Sequence, residues 1–221
     1  MERIITGGIT YLEPLNGSGG WYWGSDYAQG DLYEAEELYR QQHEVNCNRL
    51  VFVHYPDGYV AEPVQGRAGQ YFGNPLFYDG KIQILLVDFL KSLISILQYD
   101  GEADRSGAAG AVLTPVVSMP LGEIKDCYNL MLHRDPLMLT RQGGDGQFQI
   151  LWPEKAQFPI YDNESFVGRK DDILYFSRWY ESPAEDYREE IVFKHYPDGA
   201  IVEVVSGSWN EMPDGRIWLL E

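Results

Sequence analysis

A chain of 221 residues that is 44% hydrophobic and 23% charged is long enough for a sizeable core and has the composition of a folded protein, not a disordered one. Seventeen Lys and Arg against 34 Asp and Glu leave a net charge of −17, a field that repels phosphate backbones and anionic headgroups and argues against nucleic acid and membrane surfaces as partners. Two cysteines, Cys47 and Cys127, are too few for a disulfide framework or a closed zinc site.

Residues 1–8 contain no apolar core of the kind a secretory leader needs. The longest apolar stretch, residues 82–97, is interrupted by Asp88 and Lys91 and is too short to span a bilayer. A cytoplasmic location is expected by default. The first elements in chain order are three strands, at residues 3–6, 9–15 and 20–27, with turns at Gly7-Gly8 and at residues 16–19. The third carries the run Trp21-Tyr22-Trp23-Gly24-Ser25-Asp26-Tyr27. Aromatic rings beside a carboxylate suit sugar recognition, so Trp23 and Asp26 are candidate ligand contacts, and an outer strand packed on a neighbouring sheet explains the same residues. Arg178-Trp179-Tyr180 invites the same two readings, with Trp179 as the candidate.

Residues 32–42 have strong helix propensity, and Ile82, Leu85, Leu86, Phe89, Leu93 and Leu97 fall on one helical face. Both segments are nevertheless expected to be strands, because each aligns with a strand elsewhere in an internal repeat; the structural alternative is an α+β fold. The repeat is clearest between residues 50–66 (LVFVHYPDGYVAEPVQG) and residues 191–207 (IVFKHYPDGAIVEVVSG), which are identical at ten of 17 positions without a gap. Each copy is a β-type run, a Pro-Asp-Gly turn and a second β-type run, the signature of a hairpin. Degenerate copies lie at residues 96–101 and 150–155, so that Pro56, Asp100, Pro153 and Pro197 follow at intervals of 44, 53 and 44 residues. The long interval holds a Gly/Ala-rich loop insertion at residues 101–110. A second series, Asp31, Asp79, Asp135, Asp172 and Asp214, puts Asp just ahead of a strand-like run about every 46 residues. After Asp214 a single strand is left, at residues 216–221.

With this period and these motifs the chain resembles the β-propeller repeat proteins as an architecture. The resemblance implies one all-β domain over residues 1–221, a five-bladed β-propeller with blades near 31–78, 79–134, 135–171 and 172–213. The last blade would be closed by residues 214–221 together with three strands from residues 1–30, which removes exposed sheet edges. It also implies that Asp31, Asp79, Asp135, Asp172 and Asp214 ring the mouth of a central channel. There they could bind a ligand or recruit a cation, or each could serve its own turn by bonding its own backbone; the turn reading is preferred and no metal or cofactor is expected. His54 and His195 occupy equivalent positions before the two turns and are expected to brace them. No nucleophile elbow, zincin helix, phosphate loop or dinucleotide fingerprint is present. The expectation is a monomeric, non-enzymatic binding domain for a protein or a small neutral ligand. The alternative is a glycan-active propeller, either a lectin-like binder or a hydrolase with channel carboxylates.

Overall fold

The computed structural model describes residues 2–108, 110, 112–182, 185–212 and 216–220, with the side chains of 182, 185 and 186 excepted. Within them the chain is all-β with two short α-helices and one 3-10 turn, and it divides into two compact units, Met1–Cys127 and Tyr128–Glu221.

The first unit opens with a four-stranded antiparallel sheet of β1 (Glu13–Pro14), β2 (Trp21–Ser25), β3 (Leu50–His54) and β4 (Val60–Ala61), in that order. Between β2 and β3 the chain forms α1 (Leu32–Arg40), so the strand expected over residues 32–42 is corrected to a helix. The physical reason is a reciprocal cap. Asp31 Oδ1 accepts the Glu34 N–H at 2.8 Å, and Glu34 Oε2 accepts the Asp31 N–H at 2.8 Å. With a run of good helix formers behind it, that cap outweighs the alignment with residues 173–181. The helix buries Leu32, Ala35 and Glu36, and the Glu36 carboxylate accepts from Arg40 at 2.7 Å and from the Cys127 N–H.

The second sheet of this unit contains β5 (Gln70–Phe72), β7 (Lys81–Asp88), β8 (Leu93–Tyr99) and β9 (Leu113–Pro120), with β6 (Leu76–Tyr78) also on β7. Residues 82–97 are thus strands despite their helical periodicity. β7 buries both of its faces, which replaces alternation by a continuous apolar run. Residues 101–110, read as a loop, begin instead with α2 (Gly101–Arg105), capped by Asp100 Oδ1, which accepts the Ala103 N–H at 2.9 Å. Trp21, Trp23, Phe52, Phe72, Ile82 and Tyr99 meet in one core.

The second unit holds two four-stranded meanders and a hairpin. The first meander is β10 (Leu130–His133), β11 (Met138–Gly143), β12 (Gln147–Trp152) and β13 (Ala156–Pro159). The second is β14 (Glu164–Lys170), β15 (Ile173–Ser182), β16 (Glu185–His195) and β17 (Ile201–Ser206). Phe148, Phe158, Phe166 and Phe176 stack edge-on and tilted around their core, with ring centroids 4.8–6.0 Å apart. Set into it is a buried ionic group. Lys194 Nζ donates to Glu164 Oε2 at 2.6 Å, Arg178 Nη2 donates to Glu164 Oε1 at 2.7 Å, and the Lys194 ammonium lies 4.7 Å from the Phe176 ring centre. Burial alone would raise the Glu164 carboxyl, but hydrogen bonds from Lys194 and Arg178 outweigh it and hold the group below its ordinary value.

The chain continues into β18 (Ser208–Glu211) and β19 (Ile217–Leu220), which pair with each other from Ser208↔Leu220 to Glu211↔Ile217. The expected pairing of the C-terminal strand with the N-terminal strands is corrected here. Among the described residues Ile217–Leu220 pairs with Ser208–Glu211, β1 and β2 are completed by β3 and β4, and residues 3–6 form no strand. A partner a few residues away costs far less loop-closure entropy than one at the other end of the chain.

The marker positions take a definite place in these sheets. Pro56, Asp100, Pro153 and Pro197 each stand between the third and fourth strands of their sheet. Asp79, Asp135 and Asp172 stand between the first and second. In an antiparallel meander those two connections lie at the same end of the sheet. A backbone bond ties them together in two cases: Tyr55 N–H to the Gly20 carbonyl at 2.8 Å, and Tyr196 N–H to the Asp172 carbonyl at 2.9 Å. Gly20 therefore takes the place of Asp172 in the first sheet, and Asp31 belongs to the helix inserted after the second strand.

Candidate functional site

Two of the described aspartates of the series lie in each unit, all four at turns or caps. Asp31 is the N-cap of α1, and Asp79 turns the chain between β6 and β7 at φ +49°. Asp135 sits at φ +58° and accepts from Arg134 Nε at 2.8 Å; Asp172 gives its carbonyl to Tyr196. Asp214 lies outside the described residues. No group of three or more His, Cys, Asp or Glu side chains placed to hold a metal ion occurs among the described residues.

Trp23 is buried in the first core, and Asp26 Oδ1 accepts the Arg49 N–H at 2.9 Å. Trp179 is half-buried, and its backbone is clasped by Asn163, whose Nδ2 donates to the Trp179 carbonyl at 2.7 Å.

The two Pro-Asp-Gly turns share a histidine–aspartate contact: His54 Nδ1 to Asp57 Oδ1 at 2.8 Å and His195 Nδ1 to Asp198 Oδ1 at 3.2 Å. At the first turn the contact grows into a network. His54 Nε2 faces Glu102 Oε1 at 3.7 Å, and Arg105 bridges Asp57 Oδ2 at 2.8 Å and Glu102 Oε2 at 2.6 Å. Trp21 Nε1 donates to Glu102 Oε1 at 3.1 Å. Hydrogen bonds from His54 and then Arg105 hold the Asp57 carboxyl down at about 2. Both imidazole nitrogens face carboxylates, so the ring fastens α2 to the hairpin and presents neither nitrogen to a substrate. The sequence reading missed Glu102 and Arg105; the signal was Asp100 three residues ahead of Ala103, a helix cap inside an apparent loop.

An open cleft of about 480 Å³ lies at the C-terminal end of α1, among Tyr39, Arg40, His43, Val45, Gly69 and Leu90. Arg40 is already engaged by Glu36 and the Lys125 carbonyl. The larger feature is apolar and belongs to the second unit. Ile201, Val202 and Val204 on β17, Trp209 on β18 and all four residues of β19 are between 38% and 59% exposed. Successive residues of a strand point to opposite faces, so four exposed neighbours mean that β19 is only partly covered on each, with the tip of Ile217 against Gly168 on β14. Singly exposed apolar residues are ordinary, but eight within residues 201–220 are not. The signal in the sequence was the run Ile217-Trp218-Leu219-Leu220, which has no polar face at all.

No protein-family model matches the sequence, and no curated protein is significantly similar to it.

Proposed function

We propose that the protein is a non-enzymatic interaction domain whose contact surface is the exposed apolar stretch of β17, β18 and β19. The observation that carries this reading is the exposure of Trp209, Trp218 and their neighbours, side chains of the type that anchors protein contacts when desolvated. The finer architecture belongs with it: each meander is read as a blade, the C-terminal hairpin as a further, incomplete one, and the whole as a five-bladed β-propeller. The free cysteines Cys47 and Cys127 suit a reducing compartment, in keeping with a cytoplasmic protein.

The test is site-specific photo-crosslinking in cell extract with a benzophenone side chain at position 218, compared with position 161, where Tyr161 is also exposed but belongs to none of β17, β18 and β19. A discrete adduct is expected from 218 and not from 161, and Val202→Lys with Leu220→Lys in the same protein should abolish it. Equal adducts from both positions, or an adduct indifferent to the two lysines, would sink the reading.

A further inference from the structure

We propose that the open edge of β19 takes up, by strand addition, an extended segment of a partner protein in which apolar and basic residues alternate. The inference rests on the interaction reading above and specifies its mode and its partner's chemistry. Its first support is the direction of the backbone groups. The Met212 N–H donates to the Arg216 carbonyl at 2.8 Å, so Arg216 points its main chain toward β18. Alternation along an antiparallel strand then turns Trp218 and Leu220 inward to the same ladder, and turns the N–H and C=O of Ile217 and Leu219 out to the free edge. No described residue pairs with them.

The second support is that the sheet is short. Every other sheet has four or five strands, and this one has two. A lone two-stranded hairpin is marginal in water, and an added strand supplies both ladder bonds and cover for its apolar faces. Natural edge strands are commonly guarded by a charge or a proline, and Ile217–Leu220 carries neither.

Charge chooses the occupant. Residues 181–221 contain ten Asp and Glu against three Lys and Arg. Of the three, Lys194 is buried against Glu164 and Arg188 lies over the Tyr180 ring at 4.1 Å. Glu203 on β17 and Glu211 opposite Ile217 are exposed, Glu211 meeting Arg134 Nη2 at 3.9 Å, so the segment that carries the apolar strand is acidic. A second copy of the chain, at −17, would bring like charge to that segment, whereas a strand alternating Val or Ile with Lys or Arg places apolar side chains on one face and cations on the other.

The experiment uses the full chain and a synthetic peptide of about ten residues alternating Val and Lys. Two controls accompany it: a peptide of the same composition with all Val before all Lys, and one alternating Val and Glu. Calorimetry measures affinity and amide hydrogen exchange locates the contact. The alternating basic peptide should bind, weaken with added salt, and slow exchange at Ile217 and Leu219; the controls should do neither. Leu219→Ala keeps the outward N–H and should weaken binding by no more than about tenfold, whereas Leu219→Pro removes that N–H without touching the ladder to β18 and should cost more than about a hundredfold. Ile217→Pro is the second variant, and unchanged exchange at Trp218 and Leu220 checks that the hairpin persists in each. Equal binding by the Ala and Pro variants, protection elsewhere than at the edge, or protection of the same amides by self-association without peptide would each overturn the proposal. If the crosslink at 218 forms while the peptide protects nothing, the strand mode alone fails; if neither is seen, the interaction reading fails with it.

Discussion

Gly58 and Gly199 occupy the same place in two hairpins that share most of their sequence, yet they are not equally replaceable. Both adopt φ near +70°, a region that costs a side chain of order 1 kcal/mol. A β-carbon on Gly58 would meet only the tip of Ile4, at 2.5 Å, an exposed side chain that can swing away. On Gly199 it would fall 2.3 Å from the ring of Phe158, which is buried in the second core and cannot. Gly58→Ala should therefore cost about 1 kcal/mol, and Gly199→Ala about 2 to 4 kcal/mol because overpacking is added to backbone strain. Urea denaturation of the two variants measures this, and equal losses would contradict it.

At the scale of elements, the β10–β11 hairpin holds the one histidine with a clear pH signature. His133 packs edge-on against Phe166 at 4.8 Å, with Nε2 at 2.9 Å from Thr140 Oγ1. Burial lowers its pKa from 6.5 to about 4. Between those values the unfolded chain binds a proton that the folded chain refuses. The stability is thus fully present above about pH 6.5 and is lost as the pH falls toward 4, by on the order of 3 kcal/mol. His133→Gln should flatten that part of the stability curve relative to wild type, with the difference between the two proteins isolating this group from the carboxylates. The elements themselves were legible in the sequence where local chemistry is strong. The Pro-Asp-Gly hairpins stand where their motif puts them, and residues 82–97 are strands as the alignment required. The alignment misled at residues 32–42, because a capping box between Asp31 and Glu34 acts within one turn of chain and outweighs a correspondence 140 residues away. It also set the strand frame one step off. A hairpin motif fixes which strands are adjacent but says nothing of how many precede it in the sheet. Of the candidate site residues, Asp31 was visible as a residue type that caps and turns the chain, whereas the exposure of β17 and β19 depends on what fails to cover them, which no local pattern encodes.

Across the whole molecule the dominant electrostatic quantity is the net charge of −17. Self-repulsion of that size destabilises a compact state and is screened by salt. Melting temperature should therefore rise with ionic strength whichever salt is used. Because no group of three or more His, Cys, Asp or Glu side chains placed for a metal occurs among the described residues, millimolar calcium should add no more than magnesium does at equal ionic strength. A saturable rise particular to calcium would show that the carboxylates converge on a cation after all. Against that diffuse field, the contact between Lys194 and Glu164 is the opposite kind of electrostatics, local and unscreened. It has a consequence for how β16 finds its alignment on β15. The two strands pair from Ile173↔His195 to Ser182↔Glu185, a long ribbon whose register must be held along its whole length. A shift of one position would turn Lys194 to the opposite face of the sheet and leave Glu164 with Arg178 alone. A shift of two would carry the ammonium some 6 to 7 Å from the carboxylate. Either error separates a buried ion pair, so the contact works as a peg that favours one alignment of the ribbon over its neighbours.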